Sequence, residues 1–148
     1  MNYHRCTVQG VYITQTEQGN APTVLLHVEN NHFMPIYIGL WEAISITNAL
    51  NQETLPRPIT HDLFTDLFSR LSIAMVALHI DALDDGVFFA NLIIRQGDRE
   101  EILDCRPSDG IAIALRMRSP ILVAQEVVSK AAIEREDLEK MIDLKSYL

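Results

Sequence analysis

Cysteine is nearly absent: Cys6 and Cys105 are the only two, they lie far apart, and neither sits in a C-x-x-C pair. Zinc-ribbon and thioredoxin-like readings therefore have nothing to build on, and two free thiols in a reducing cytoplasm are expected. Long apolar runs are missing as well; the longest, such as residues 73–78, fall far short of the roughly 20 residues that cross a bilayer. The first residues, Met-Asn-Tyr-His-Arg, lack a positive region followed by an apolar block, so neither a signal peptide nor a membrane partner is expected. Positive charge is scarce. Twelve Lys and Arg against twenty Asp and Glu give a net charge of −8, which removes the broad basic groove of a typical nucleic-acid binder. It leaves room for a local basic patch, or for carboxylates that meet phosphate through a bound cation. No Gly/Ser linker or low-complexity tract interrupts the chain, so residues 1–148 read as one domain. His27, His32 and His79 show no H-x-H or H-E-x-x-H spacing and are assigned structural roles.

What the chain does contain is enough apolar material for a core, at 48% hydrophobic residues, and an internal duplication. One constant offset lays Glu42 on Asp109, Ile13 on Ile80, Gly19 on Gly86, Leu25 on Leu92 and Ile44 on Ile111. The units span about 7–51 and 74–118, and each reads as three strands and a helix. Strands are expected at 7–16, 23–30 and 33–38, then at 74–82, 87–96 and 100–105, with helices at 40–50 and 108–117. Turns at Gln18-Gly19-Asn20, Asn30-Asn31, Asp85-Gly86 and Gln96-Gly97-Asp98 are short, which implies antiparallel pairing. The fold class is thus α+β: a duplicated β-β-β-α unit, a mostly antiparallel sheet and packed helices.

Between the units, two prolines stop the first helix and Thr60 is placed to cap a linking helix. Its apolar residues Leu63, Phe64, Leu67, Phe68 and Leu71 follow helical spacing, so they are expected to pack across the sheet with Asp62, Thr65, Asp66 and Ser69 outside. After a short strand at 121–124, residues 125–148 read as a charged helical tail. The helices around Ile44–Ile46 and Ile111–Leu115 carry so little polar surface that both sides must be covered. A second subunit, the tail or the linking helix would serve, and a homo-oligomer, most simply a dimer, is expected.

Function-bearing residues gather where strands pass into helices. Asp104-Cys105-Arg106-Pro107-Ser108-Asp109-Gly110 precedes an apolar helix, and the duplication makes Glu42 the counterpart of Asp109. An approximate twofold between the units would bring these two helix starts together. The segments Met34 to Ile46, Arg57 to Leu63 and Asp104 to Arg116 together resemble the bifunctional nuclease family, also called the domain of unknown function 151 family, over about residues 8–127 in order and spacing. The resemblance implies a nuclease, since plant relatives are credited with cutting both DNA and RNA. It carries over positions without roles: Gly39 and Glu42; Arg57, Thr60, His61 and Asp62; Asp104, Arg106, Ser108, Asp109 and Arg116.

Chemistry then assigns expectations. Phosphodiester hydrolysis needs an activated water and neutralisation of charge on a pentavalent oxyanion. Glu42, Asp62 and Asp109 are expected to hold Mg2+ or Mn2+, with no organic cofactor; His61, near pKa ~6.5, acts as base or ligand. Arg57 and Arg106 grip phosphate, with Ser108 beside it. Each assignment has a structural counterpart. Glu42 and Asp109 also suit the positive helix dipole, worth about 0.3–1 kcal/mol; Ser108 is a good N-cap; Asp104 and Arg106 form an ion pair; Arg116 and Arg118 favour a helix C-terminus. The alternative function is accordingly a non-catalytic oligomeric binding or regulatory module, and a small-molecule phosphoesterase would use the same carboxylates.

Overall fold

The computed structural model describes residues 2–148. The first unit opens with β1 (Tyr3–Thr16) and β2 (Gly19–Glu29), a hairpin whose turn uses the positive φ of Gly19, and continues through Asn30 into β3 (His32–Tyr37). The second unit repeats this with β4 (Ala74–Asp84), β5 (Val87–Gln96) and β6 (Arg99–Cys105). Asp85 and Gly86 both adopt positive φ, at 50° and 78°, the combination a tight hairpin turn needs. Each third strand is followed by a helix, α1 (Leu40–Leu50) or α3 (Pro107–Met117), with α2 (Thr60–Arg70) between the units.

The units do not form separate sheets. β7 (Ile121–Ala124) lies parallel to β4 and antiparallel to the first residues of β1, fusing everything into one mixed, mostly antiparallel sheet in the order β6-β5-β4-β7-β1-β2-β3, with a short strand, Ile133–Glu134, beyond β3. The α+β reading holds. α1 and α3 pack beside one another, and Ile46, Ile111, Ala112 and Ala114 are fully buried. Gly110 permits the close seat of α3, because a Cβ there would run into the Leu78 side chain and Cys105 Sγ. No helix among the described residues is long and apolar enough to cross a membrane.

Four expectations are corrected. The tail is not a continuous helix: α4 (Gln125–Ala131) ends early, and the chain then alternates β8 (Ile133–Glu134), a 3-10 turn (Arg135–Asp137), β9 (Met141–Asp143) and a second 3-10 turn (Leu144–Tyr147). Open backbone decides this: β8 pairs with β3, and β9 pairs with Tyr12–Thr14 of β1, satisfying strand edges that a helix would leave bare. Second, α3 begins at Pro107, with Arg106 as N-cap, so Ser108 is inside the helix; proline is preformed for that first position. Third, Ile59 rather than Thr60 is the N-cap of α2, and its N–H donates to Asp62 Oδ2 at 3.1 Å.

Fourth, α2 packs on α3 instead of lying across the sheet, and it is rotated. Of its apolar residues only Phe68 is buried, while Leu63, Phe64, Leu67 and the following Leu71 are exposed. His61 is buried and Asp62 and Thr65 are half-buried. Hydrogen bonding sets this rotation. Arg116 of α3, its side chain 10% exposed, meets Asp62 at 2.8 Å. Turning the apolar residues inward would break that pair and strand a buried guanidinium without its partner, which costs several kcal/mol.

Candidate active site

The starts of α1 and α3, the first turns of α2 and the end of β6 surround an open cleft of about 740 Å3. Glu42, His61, Asp104, Cys105, Arg106 and Asp109 line it, among apolar walls that include Trp41, Ile44, Leu55, Phe64, Leu103 and Ile113. The paired helix starts are therefore one site.

Its polar groups form a chain. Arg106 Nε donates to Asp109 Oδ2 at 3.1 Å, and the same guanidinium reaches Glu42 Oε1 at 3.7 Å. Asp109 Oδ1 lies 2.9 Å from His61 Nε2, and His61 Nδ1 lies 2.6 Å from Ser45 Oγ. An ionised carboxylate only accepts, so Nε2 carries the proton; in the neutral ring Nδ1 then accepts from the Ser45 hydroxyl. Ser45 thus fixes the tautomer, His61 fixes Asp109, and Asp109, half-buried, meets the cleft. The negative charge of Asp109, then its hydrogen bond, raises the Arg106 pKa, and Glu42 adds to this. Gly39 contributes by what it lacks: a Cβ would strike the Glu42 carboxylate, which folds back over the helix start.

The remaining candidates are elsewhere. Asp62 stays outside the cleft, bound to Arg116 and the Ile59 amide. Burial, the largest influence, pushes its carboxyl upward, but the Arg116 and Ile59 hydrogen bonds and the charges of Arg116 and His61 outweigh it and hold the pKa below the usual value. Arg57 is exposed on the α1–α2 connection, outside the cleft lining. Ser108 is buried and faces a separate groove with Ile36 and Gly39. Arg106 pairs with Asp109 and Glu42 instead of Asp104. Arg116 does not cap its own helix end alone; it also donates to the carbonyls of Ala112 and Ser45, tying the three helices together.

A resident cation would need several ligands converging on one point. No group of three or more His, Cys, Asp or Glu among the described residues is arranged to hold a metal ion. Glu42 and Asp109 share a guanidinium that sits where a cation would, and Asp62 is turned to Arg116. This donor set, as arranged, does not fit a resident cation.

Residues that sequence reasoning passed over complete the site. Ser45 lies one turn beyond Glu42 on α1, so helical spacing alone put both on one face. Trp41, the sole tryptophan, stands 77% exposed at the cleft. Cys105 also lines it, but burial, and next the charges of Asp109 and Asp104, push its thiol to about 11, so it carries its proton at neutral pH and is no nucleophile.

Comparison with known proteins adds a family. The sequence profile of the Bifunctional nuclease domain matches residues 24–136. An uncharacterized protein of Mycobacterium tuberculosis is 40% identical over 129 residues, covering 85% of this chain and 74% of that protein. Bifunctional nuclease 1 of Oryza sativa and a bifunctional nuclease of Oryza minuta are each 28% identical over 97 residues, 64% of this chain but only 29% of theirs.

Proposed function

The chain belongs to the bifunctional nuclease domain family, and from that premise we propose that its cleft binds and hydrolyses phosphodiester bonds of RNA or DNA. The observation that carries this reading is the convergence of Glu42, His61, Arg106 and Asp109 on one open cleft. In the proposed reaction Arg106 swings from its carboxylates to the phosphate and balances charge on the pentavalent oxyanion. Asp109, held by His61 and Ser45, takes the proton of the attacking water, which Glu42 orients; as the new P–O bond forms, the P–O bond opposite it breaks and the departing sugar oxygen takes a proton from solvent. Trp41, Leu55 and Phe64 give the bases flanking the cut an apolar surface to stack on. The reaction as drawn assigns charge neutralisation to Arg106 and no step to Mg2+ or Mn2+.

Incubating a nuclease-free preparation with end-labelled single-stranded RNA and DNA tests it. Asp109→Asn and Arg106→Ala should each lower the cleavage rate by about 100-fold or more, the range of a lost base or oxyanion partner. Chelation with EDTA should leave the rate within about 2-fold, since charge neutralisation is assigned to Arg106. Unchanged cleavage in both variants would end the hydrolytic reading, and loss in EDTA would restore the cation.

One observation favours a second reading, a binding module without catalysis: Arg106 is already balanced by two carboxylates, in a protein of net charge −8. Under it, oligonucleotides quench Trp41 fluorescence saturably while remaining intact.

A further inference from the structure

Arg106 lines two cavities: the cleft, and a second groove of about 410 Å3 whose walls include Ile36, Val87 and Phe88 and which reaches Ser108 at the start of α3. Ser108 is only 5% exposed, and none of the described residues hydrogen-bonds its hydroxyl. Every fully enclosed side-chain oxygen among those residues has a partner, so this hydroxyl is not enclosed, and its opening is to the groove. A partner for it must come from there. We propose that the groove is a phosphate-binding site, in which the Ser108 hydroxyl and the first amides of α3 hold anionic oxygens beside Arg106.

The backbone supplies further donors. Arg106, the N-cap of α3, gives no side-chain bond to its helix, and the first α3 amide with a carbonyl partner is that of Gly110, which meets Arg106 at 3.1 Å. The amides of Ser108 and Asp109 precede it and stay available, with the helix dipole behind them. The equivalent start of α1 differs. There the Glu42 carboxylate folds back over the helix start, whereas Asp109 is drawn to His61 and Arg106 and leaves its own helix start uncovered.

Charge selects an anion. Among the described residues no carboxylate lines this groove, against Glu42, Asp104 and Asp109 in the cleft, and Arg106 is its one charged side chain. In a protein of net charge −8, an anion there meets a guanidinium and amide donors without an opposing acid on the groove wall. The Tyr37 hydroxyl is already given to Glu139, at 2.7 Å, so the donors are those of α3 and Arg106. A phosphate can belong to a strand or arrive free. Because Arg106 stands in both cavities, a strand with one phosphate in the cleft would bring its neighbour to the groove, with the sugar against Val87 and Phe88. This extension rests on the nucleic-acid reading proposed above; the phosphate site itself does not.

Titrations of the full chain separate the sources. When inorganic phosphate is added to isotope-labelled protein, the amide resonances of Ser108 and Asp109 should shift saturably, with a dissociation constant in the millimolar range. Ser108→Ala should weaken this binding by roughly 10-fold or more, the loss of one hydrogen bond to a charged group, while circular dichroism keeps the folded spectrum. Trp41 fluorescence then compares a dinucleoside monophosphate with the same molecule carrying a further phosphate at either end. An added phosphate at one end should tighten binding by roughly 10-fold, and Ser108→Ala should remove that gain. The gain assigns the site to a strand, and a response to inorganic phosphate alone assigns it to free phosphate. Val87→Glu, at a position 54% exposed, places a carboxylate in the groove without touching α3 and should weaken whichever binding is seen. Amides of Ser108 and Asp109 indifferent to phosphate together with no gain from either added phosphate, or binding indifferent to both variants, would overturn the proposal. Oligonucleotides left intact while phosphate still binds at Ser108 would end the hydrolytic reading and leave this site standing.

Discussion

Asp62 and Arg116 show how a single pair decides more than its own energy. Their 2.8 Å contact joins residues 54 positions apart and holds α2 with His61, Asp62, Thr65 and Phe68 turned inward. Because the folded Asp62 pKa lies below its ordinary value of 3.8, its stabilisation is fully present above that pH and is lost as pH falls through the lower folded value. Arg116→Met should lower stability by about 1–3 kcal/mol at neutral pH, with partial exposure of Asp62 keeping the loss from the upper range of buried pairs. Urea midpoints of wild type and variant should converge as pH drops below 3.8; a constant gap would show that the guanidinium acts through packing alone. Glu42, His61, Arg106 and Asp109 were legible from the sequence because each occupies or adjoins a helix start, which local signals mark. Ser108 was misplaced by a similar signal: serine and proline both suit a helix start, and proline took the first position.

Elements were most legible where turn chemistry and strand periodicity agreed. The hairpins at Gly19 and Asp85-Gly86 and the strands they join form as expected, since positive φ at those positions leaves few alternatives. The tail misled because its charged composition suits an exposed helix, while unpaired backbone on β1 and β3 required strands. The rotation of α2 misled for the opposite reason: periodicity located its apolar face correctly, but periodicity cannot say which face is inward. At the α3–β4 contact the only local signal is a glycine in a helix, ordinarily unfavourable by roughly 0.8–1.0 kcal/mol relative to alanine. Gly110→Ala should nevertheless destabilise, by about 1–3 kcal/mol, because its Cβ would meet Leu78 and Cys105. Thermal unfolding checks the sign: a raised Tm would mean that α3 can lift without loss.

For the whole molecule, charge and cleft pull against each other. A net charge of −8 repels a polyanion at long range, while the proposed phosphate contact rests on one guanidinium at short range. Screening therefore helps association more than it weakens binding. Raising ionic strength from about 0.01 M to about 0.1 M, which shortens the Debye length from ~30 Å to ~10 Å, should increase kcat/KM on an oligonucleotide. A steep fall, as counterion release from a basic groove would give, would place the binding surface elsewhere. By itself the sequence determined the α+β class, the repeated β-β-β-α order and the helix-start residues, because turns, periodicity and caps act over a few neighbouring positions. Only the tertiary structure decided that β7 fuses the two units, that Ser45 and His61 hold Asp109, and that α2 shows water its apolar ridge. Those outcomes rest on hydrogen-bond partners distant in the chain, and satisfying such buried polar groups outweighed the local hydrophobic pattern.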